Sequence, residues 1–394
     1  MQKINPIVFF LLVIYPVLIV GAGISYVFGF GISWLEVGLF LVGYYVANIS
    51  VGLGLHRLWT HGAYKTNKYI EFFLALFAAG TLQGPALAWA SDHYKHHTYT
   101  DEENDPHTPL KFKSRFIGFF WAHMGWMLYS TSFKQIDKVT LVKLGRNKIL
   151  RWQLKYYWLI AVFMNLVLPP LVGFIASGTI QGAVAGYIFI GIGRALQQQM
   201  TFCVNSLCHF VGTRKYDAGT ARDIWWMFIF LLGENWHNYH HAFARDYRNG
   251  VKWYQLDVHK WLIYMMEKLG LAWDLVRTSE VRISSKIQET HQSIATDLML
   301  RLKAIEQAAT GIARLAQEKL ESTEKSAGIF AKDMNAKLHK LITSASRLAD
   351  NTKQFLANPD MIQEKIILEA TKHAKNLEKL AARLDLRIPT LRFN

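Results

Sequence analysis

Four long apolar segments dominate the first 202 residues of the chain. They run over about residues 7–29, 33–55, 156–176 and 180–202. Each is long enough, as a helix, to cross the apolar core of a bilayer, which takes roughly 20 residues. The first lacks the small-residue cleavage site of a signal peptide, so we read it as a retained span. The pattern predicts an all-α integral membrane protein with four transmembrane helices.

Three further apolar runs are expected to lie against the membrane rather than cross it. The run 69–90 is interrupted by Gly84 and Pro85, and irregular backbone persists at membrane depth only where protein shields it. The runs 116–129 and 223–232 are too short to span. We expect a broken helix pair for the first run and helices at the membrane surface for the other two.

Charge sets the predicted orientation. The chain carries 44 Lys and Arg against 29 Asp and Glu, a net charge of +15. The connections between spans one and two and between spans three and four carry neither Lys nor Arg. The positive-inside rule therefore puts both termini and the large middle segment in the cytoplasm, at a bacterial inner membrane or at the endoplasmic reticulum. Because the basic residues flank apolar runs, an anionic lipid surface or an acidic substrate explains them better than nucleic acid.

Nine of the fifteen histidines gather at one face of this predicted membrane domain. They are His56 and His61; His93, His96 and His97; His209; and His237, His240 and His241. The two H-x-x-H-H motifs place histidines at positions i, i+3 and i+4, which share a helical face and can converge on one site. His56 and His61 are five residues apart, about 140° around an ideal α-helix, so we expect the helix to end between them.

So many imidazoles with recurrent helical spacing indicate a metal site. Imidazole suits Zn, Cu, Fe and Ni, and nine ligands exceed what one ion takes, so two ions are expected. A zinc hydrolase typically has three protein ligands and a water, and soluble di-iron proteins use carboxylate-rich helices. A histidine-only pair of irons at a membrane face points to oxygen activation on a lipid-like substrate.

The histidine motifs resemble those of the membrane-bound fatty acyl desaturases, specifically the stearoyl-CoA (delta-9) type. The resemblance covers about residues 41–275 and rests on GLHRLWTHGAY, WASDHYKHHTYTDEENDPH, FWAHMGWML, NSLCHFVGTRKYD and GENWHNYHHAFARDY, in that order. It implies four transmembrane helices beneath a cytosolic helical cap that holds a di-iron centre. It also implies that O₂ and two electrons are used to remove two hydrogens from adjacent acyl carbons, which leaves a cis double bond.

The resemblance also implies residue roles. All nine clustered histidines fall on iron-ligand positions, with Asn205 on the position of a water-mediated ligand. It does not divide them between the irons. Five residues fall along a bent substrate tunnel, where ordinary packing is the alternative role: Gln83, Trp89 and Thr201 beside the metals, and Tyr44 and Asn48 at the closed end.

The resemblance leaves open the preferred length of the acyl chain and the head group that carries it. Tyr44 precedes His56 by twelve residues, about 18 Å along a helix, which is a suitable depth for the tail of an acyl chain. Asn48 stands where the animal enzymes have a small residue. Ser91 stands where they have a basic one, which weakens the case for CoA.

Other polar residues near the ligands have predicted supporting roles. Acidic residues close to the motifs are candidates to bind imidazole N–H groups, with solvated charges or helix caps as the alternative. These are Asp92, Asp105, Asp217 and Glu234. His107 and His123 are expected to be supporting or structural residues. The histidines without clustered partners are expected at the surface: His259, His291, His339 and His373.

Electrons are expected from a separate protein. The sequence has no H-P-x-G haem motif and no G-x-G-x-x-G after a strand, and its two cysteines, Cys203 and Cys208, cannot hold an iron–sulfur cluster. An external ferredoxin, rubredoxin or cytochrome b5 with its reductase is implied. Basic residues that can dock an acidic donor or an anionic head group, or simply contact anionic lipid, are Lys111, Lys113, Arg115, Arg214 and Lys215.

Composition changes near residue 279. Residues 1–278 form the predicted desaturase domain, and residues 279–394 are rich in Ala, Lys, Glu and Leu, with apolar positions at spacings of three and four. This predicts a helical C-terminal extension, with Pro359 breaking or starting a helix. We expect a hairpin or bundle over the cap, the membrane surface or a partner, or else a solvated accessory segment.

The leading functional prediction is desaturation of a fatty acyl-CoA. The alternatives are an acyl-lipid desaturase or a fatty acyl hydroxylase of the same superfamily. A metal transporter would need ligands or charges distributed through the spans. Here the histidine clusters lie at one face, and the charges within the spans are Glu36, near an end, and Arg194.

Overall fold

A computed structural model describes residues 4–129 and 136–321, with single positions at 336, 339, 340, 343, 372, 375, 376 and 379. The described chain is mostly helical. The helices are, in chain order, α1 Pro6–Phe30, α2 Trp34–Thr60, α3 Lys68–Gly80, α4 Ala86–Thr98, α5 (residues 115–128), α6 Lys138–Leu144, α7 Lys148–Ser177, α8 (residues 180–205), α9 Phe228–Leu231, α10 His237–Ala242, α11 Val258–Lys268 and α12 Glu280–Glu321. Strand β1, Lys65–Thr66, pairs antiparallel with β2, Ala272–Trp273.

Three of the helices are long and apolar enough to cross a membrane, namely α1, α2 and α7. They lie where the first three spans are predicted. The fourth predicted span forms the continuous helix α8, but it is not among these three. Its second half carries Arg194 and the glutamines at 197, 198 and 199, which lower its hydropathy.

The predicted break in the run 69–90 is present between α3 and α4. Leu82 and Gly84 adopt positive φ angles of 56° and 100°. Polar side chains of α7 and α8 bind the freed backbone groups: the Tyr157 hydroxyl accepts from the Gly84 amide (3.0 Å), Gln153 Oε1 accepts from the Ala86 amide (2.8 Å), and Gln198 Nε2 donates to the Thr81 carbonyl (3.2 Å). Protein rather than lipid therefore satisfies the irregular backbone.

Glycines let the membrane helices approach closely. A Cβ on Gly43 of α2 would lie 2.3 Å from the Ile190 carbonyl oxygen, and one on Gly193 of α8 would lie 2.2 Å from the Phe40 carbonyl oxygen. Because no real Cβ comes so near a backbone atom, α2 and α8 can pack at this distance only with glycine at both positions.

The two short apolar runs form the expected short helical segments. Phe116 and Ile117 of α5 are exposed, as are Trp225 and Trp226 in the turn before α9. Exposed aromatic and aliphatic side chains of this kind suit a membrane interface.

The chain divides into two compact units, Met1–Arg282 and Ile283–Asn394. The start of the predicted C-terminal extension is helical, as α12. The predicted hairpin or bundle beyond it, and Pro359, lie outside the described residues.

We predict that Gly193→Ala lowers the thermal unfolding midpoint of the detergent-solubilised chain, because the new methyl group forces α8 away from α2. Overpacking costs about 1–3 kcal/mol. Gly21→Ala, in α1, is the matched control because its Cβ meets nothing within 4 Å. Equal midpoints for the two variants would contradict the close approach of α2 and α8.

Candidate metal centre

The end of α2 is π-helical over Ser50–Thr60, and this places its two histidines. The His61 amide donates to the His56 carbonyl at 3.1 Å, an i→i+5 bond. In a π-helix residues five apart lie one turn apart, and the two rings are 4.7 Å between centroids. As expected, the helix ends between them, at Thr60, with His61 as its C-cap. An ideal α-helical turn is not what brings the two rings together. The wider helical turn aligns the two histidines instead.

The two H-x-x-H-H motifs lie on α4 and at the start of α10, as their spacing predicts. Each helix sends its i and i+4 histidines to one side and its i+3 histidine to the other. His93 and His97 of α4 meet His240 of α10, whereas His96 of α4 meets His241. The motifs therefore interlock, and each helix contributes to two ligand groups.

Group one is His56, His61, His93 and His240. Nε2 of His56 lies 3.0 Å from Nε2 of His240, and Nε2 of His93 lies 3.1 Å from Nε2 of His61. His97 joins this group, because its Nε2 is 2.9 Å from that of His240.

Group two is His96, His209, His237 and His241. Nε2 of His237 lies 3.1 Å from Nε2 of both His209 and His241, and Nε2 of His96 lies 3.2 Å from that of His241. His209 comes from the short 3₁₀ turn Leu207–His209 that follows α8.

The donor chemistry of both groups fits metal ions. Thr220 donates its hydroxyl hydrogen to Asp101, so its oxygen accepts from Nδ1 of His209 at 2.7 Å. That bond fixes the proton on Nδ1 and leaves the Nε2 lone pair pointing at His237. Nitrogen ligands about 2.1 Å from one ion lie roughly 3.0–3.4 Å apart, close to the separations in both groups.

Metal ligation requires neutral imidazole rings. Burial, reinforced by the neighbouring imidazoles, lowers the pKa of every clustered histidine outside the membrane-spanning helices. These are His61, His93, His96, His97, His209, His237, His240 and His241.

Carboxylates orient ligands in both groups. Oε2 of Glu234 lies 2.8 Å from Nδ1 of His56, and both oxygens of Asp105 lie 3.1 Å from Nδ1 of His96. Burial raises the pKa of Asp105 to about 7, and a nearby cation would favour its charged form. Burial would raise the pKa of Glu234, but Arg57 and His56 hold it well below its usual value.

Two of the four predicted acidic partners thus touch imidazoles. Asp217 does not, because its carboxylate accepts from the Gly219 amide as a local turn cap. Asp92 lines the cavity described below. Two further residues contact this centre without having been predicted from the sequence: Asp101, which reaches His209 through Thr220, and Arg57, which binds Glu234. Asp101 lies in an acidic run after the second histidine cluster, and such a run in a sequence normally indicates solvent-exposed charges.

The remaining histidines divide into internal and exposed ones. The His107 ring packs 4.1 Å from that of His96, and the two form a further possible ligand group with Asp105. His123 bonds Ser206 and Gln199. Their supporting or structural roles stay predictions. His339 is exposed, and His373 lies outside the described residues. The prediction that His259 is a surface residue is wrong. It is fully buried and contacts Glu234.

A cavity opens onto group one between α2, α4 and α8. Its lining residues are Val51, His56, Gln83, Ala88, Trp89, Asp92, His93, His107, Trp126, Met127, Thr201, Phe202, Val204, Asn205 and Glu234. Three of the predicted substrate residues therefore line it, and so does Asn205. Tyr44 and Asn48 do not, since both instead donate to the Phe230 carbonyl at 2.7 Å.

The family model described as fatty acid desaturase matches residues 32–275, more than half of the chain. The chain belongs to the fatty acid desaturase family. It is 36% identical over 262 residues to acyl-CoA desaturase 1 of Saccharomyces cerevisiae, covering 66% of this chain and 49% of that protein. A probable acyl-CoA desaturase of Schizosaccharomyces pombe is 35% identical over 65% of this chain and 52% of its own length.

The desaturase relatives also include enzymes named for lipid substrates. The sn-1 stearoyl-lipid 9-desaturase of Anabaena variabilis is 32% identical over 243 residues, covering 61% of this chain and 84% of that protein. The chain spans about half the length of the two yeast relatives, so their activities bear on this protein only as a proposal.

We predict that the full-length chain, loaded anaerobically with Fe(II), binds two irons. His240→Ala in group one and His209→Ala in group two should each bind about one iron less, measured by elemental analysis of the purified protein. His339→Gln is the matched control, because that side chain is exposed and bonds only Thr343 among the described residues. Two irons retained in either alanine variant would remove that group from the metal centre.

We predict that Asp105→Asn weakens iron binding about 10- to 100-fold, because an amide orients His96 less firmly than a carboxylate and makes it less basic. Titration with Fe(II) under argon measures the affinity. Asp217→Asn is the control, a nearby carboxylate that caps a turn. Equal affinities in the two variants would show that the Asp105 contact does not tune the metal.

Proposed function

We propose that this desaturase family member is an O₂-dependent enzyme that converts a saturated long-chain fatty acyl-CoA to its cis delta-9 monoene. The observation that carries the proposal is the position of the cavity. His56 and His93 of group one form part of its wall, so a chain in the cavity lies against a metal ligand set.

Groups one and two are the sites for two irons, with Asn205 as the proposed water-mediated ligand. The irons, when bound, supply the oxidising power that an unactivated C–H bond requires, and O₂ is the co-substrate. The protein's own residues position the alkyl chain and exclude water. Val51, Met127 and Phe202 provide the apolar wall, while Trp89 and Thr201 border the chain beside group one.

Tyr44 and Asn48, which do not line the cavity, are proposed to close the substrate tunnel beyond it. Both residues precede Val51 on α2, and both side chains donate to the Phe230 carbonyl. Gln83 Oε1 accepts from the Trp89 indole at 3.4 Å, which orients the Trp89 ring near His93.

We propose four spans, with α8 as the fourth, and a cytosolic cap that carries the metal centre. Both termini are then cytoplasmic. Reduction of O₂ to two waters takes four electrons, of which the acyl chain gives two as it loses two hydrogens. We propose an external ferredoxin, rubredoxin or cytochrome b5 as the donor of the other two.

One observation favours a second candidate, an acyl-lipid desaturase. Ser91 is fully buried, and its hydroxyl accepts from the Asp137 amide at 2.9 Å, just before α6. It therefore fixes the start of a helix and is not placed to bind the phosphates of CoA.

We expect a host that lacks delta-9 desaturation to accumulate a new cis-9 monoene when it expresses this chain. Total fatty acids are derivatised at the double bond and analysed by mass spectrometry. His240→Ala should reach the membrane and give no monoene. Hydroxy acids in place of a monoene would redirect the proposal to a hydroxylase, and a monoene at wild-type level from His240→Ala would overturn it.

An in vitro assay identifies the head group that carries the acyl chain. It combines membranes containing the protein, a reduced ferredoxin and labelled substrate. The proposal expects product from stearoyl-CoA. Product formed only from stearoyl phospholipid would instead identify the protein as an acyl-lipid desaturase, the second candidate that the position of Ser91 favours.

A further inference from the structure

A buried polar network lies directly behind group one. Its members are Arg57, Glu234, Asn249, Asp257 and His259, each under a tenth exposed. None of them belongs to either ligand group. His259 comes from the first turn of α11, far along the chain from every histidine motif.

Glu234 is the centre of this network. Its Oε2 faces Nδ1 of His56 at 2.8 Å and accepts from Asn249 Nδ2 at 2.8 Å. Its Oε1 accepts from Arg57 at 2.9 and 3.1 Å and lies 2.9 Å from Nδ1 of His259. A carboxylate has about four lone-pair positions, and these contacts use both oxygens. The carboxylate that orients His56 is therefore held from several directions.

The contact with Glu234 fixes the tautomer of His259. Glu234 is paired with Arg57 and is ionised, so it only accepts hydrogen bonds. Nδ1 of His259 must carry the proton and donate to it. Nε2 of His259 is buried and has no hydrogen-bond partner within the described residues, so the ring makes its one polar contact there with Glu234.

The backbone around His259 is shaped to hold its ring in place. The His259 amide donates to the Leu232 carbonyl at 3.2 Å, which ties the start of α11 to the end of α9. Across from the ring, a Cβ on Gly52 would lie 2.1 Å from Cε1 and 2.4 Å from Nδ1. Only glycine at this point of the π-helical segment leaves room for the imidazole.

We propose that His259 is a positioning residue for the metal ligand His56. Its Nδ1–H holds Oε1 of Glu234, and Glu234 in turn fixes the ring of His56 toward the group-one metal. Gly52 supplies the space that this chain of contacts needs. The inference rests on the metal centre of the proposed function and adds a role to a residue outside every histidine motif.

The test compares His259→Leu with His259→Gln in the full-length, detergent-purified chain loaded with ⁵⁷Fe(II). Leucine removes the donor. Glutamine keeps an N–H that can reach Glu234. His259→Leu should weaken binding of one of the two irons about 10- to 100-fold and change the Mössbauer doublet of that iron alone. His259→Gln should restore most of the iron affinity and most of the wild-type Mössbauer spectrum.

Gly52→Ala should reproduce the effect of His259→Leu, because the added methyl group displaces the ring. Gly38→Ala in the same helix is the matched control, since its Cβ meets nothing within 4 Å. The unfolding midpoint of each metal-free variant is measured alongside.

Wild-type iron affinity and an unchanged Mössbauer spectrum in His259→Leu would overturn the inference. A lowered metal-free midpoint with both irons still bound at wild-type affinity would also overturn it, because it would show a purely structural role. A chain that binds two irons but makes no unsaturated product would leave this inference intact while sinking the proposed function.

Discussion

The architecture depends on bringing nine imidazoles together in a largely buried space. Their Nε2 atoms approach one another at 2.9–3.2 Å, a separation that suits nitrogen ligands sharing an ion. Burial lowers the pKa of the eight clustered histidines outside the membrane-spanning helices, and Glu234 and Asp105 lie against Nδ1 of His56 and His96. The surrounding helices hold the rings at that separation, and under the proposed function metal binding is coupled to folding of this region.

Several local departures from ideal helix serve the same constraint. The π-helical end of α2 aligns His56 with His61, and the break between α3 and α4 turns the chain before His93. Gly43 and Gly193 let α2 approach α8, whose far end leads to His209. Side chains of α7 and α8 satisfy the backbone at the break, and residues of α2, α4 and α8 line the cavity beside group one.

The sequence was sufficient to predict the features that depend on local spacing. The histidine clusters, the broken run 69–90 and three of the membrane helices lie where apolar length and helical periodicity place them. The division into two ligand groups could not be predicted, because it depends on how α4 and α10 face each other. The π-helical turn that aligns His56 with His61 could not be predicted either, because the sequence pattern alone suggests an ordinary helix with 3.6 residues per turn.

Residues behind the ligands were the least predictable. His259 stands alone in LDVHKW and gives no signal of burial, and Arg57 reads as a flanking positive charge. Their roles arise from long-range contacts between α2, the segment after α9 and the start of α11. Spacing along the chain does not predict contacts between such distant segments. The need for glycine at position 52, opposite the His259 ring, is likewise apparent only in the three-dimensional structure.

Anomalous diffraction at the iron edge, on crystals of the iron-loaded full-length chain, tests the central claim most directly. The account predicts two iron peaks, one enclosed by His56, His61, His93, His97 and His240 and the other by His96, His209, His237 and His241. A single peak, or peaks outside these two groups, would contradict it.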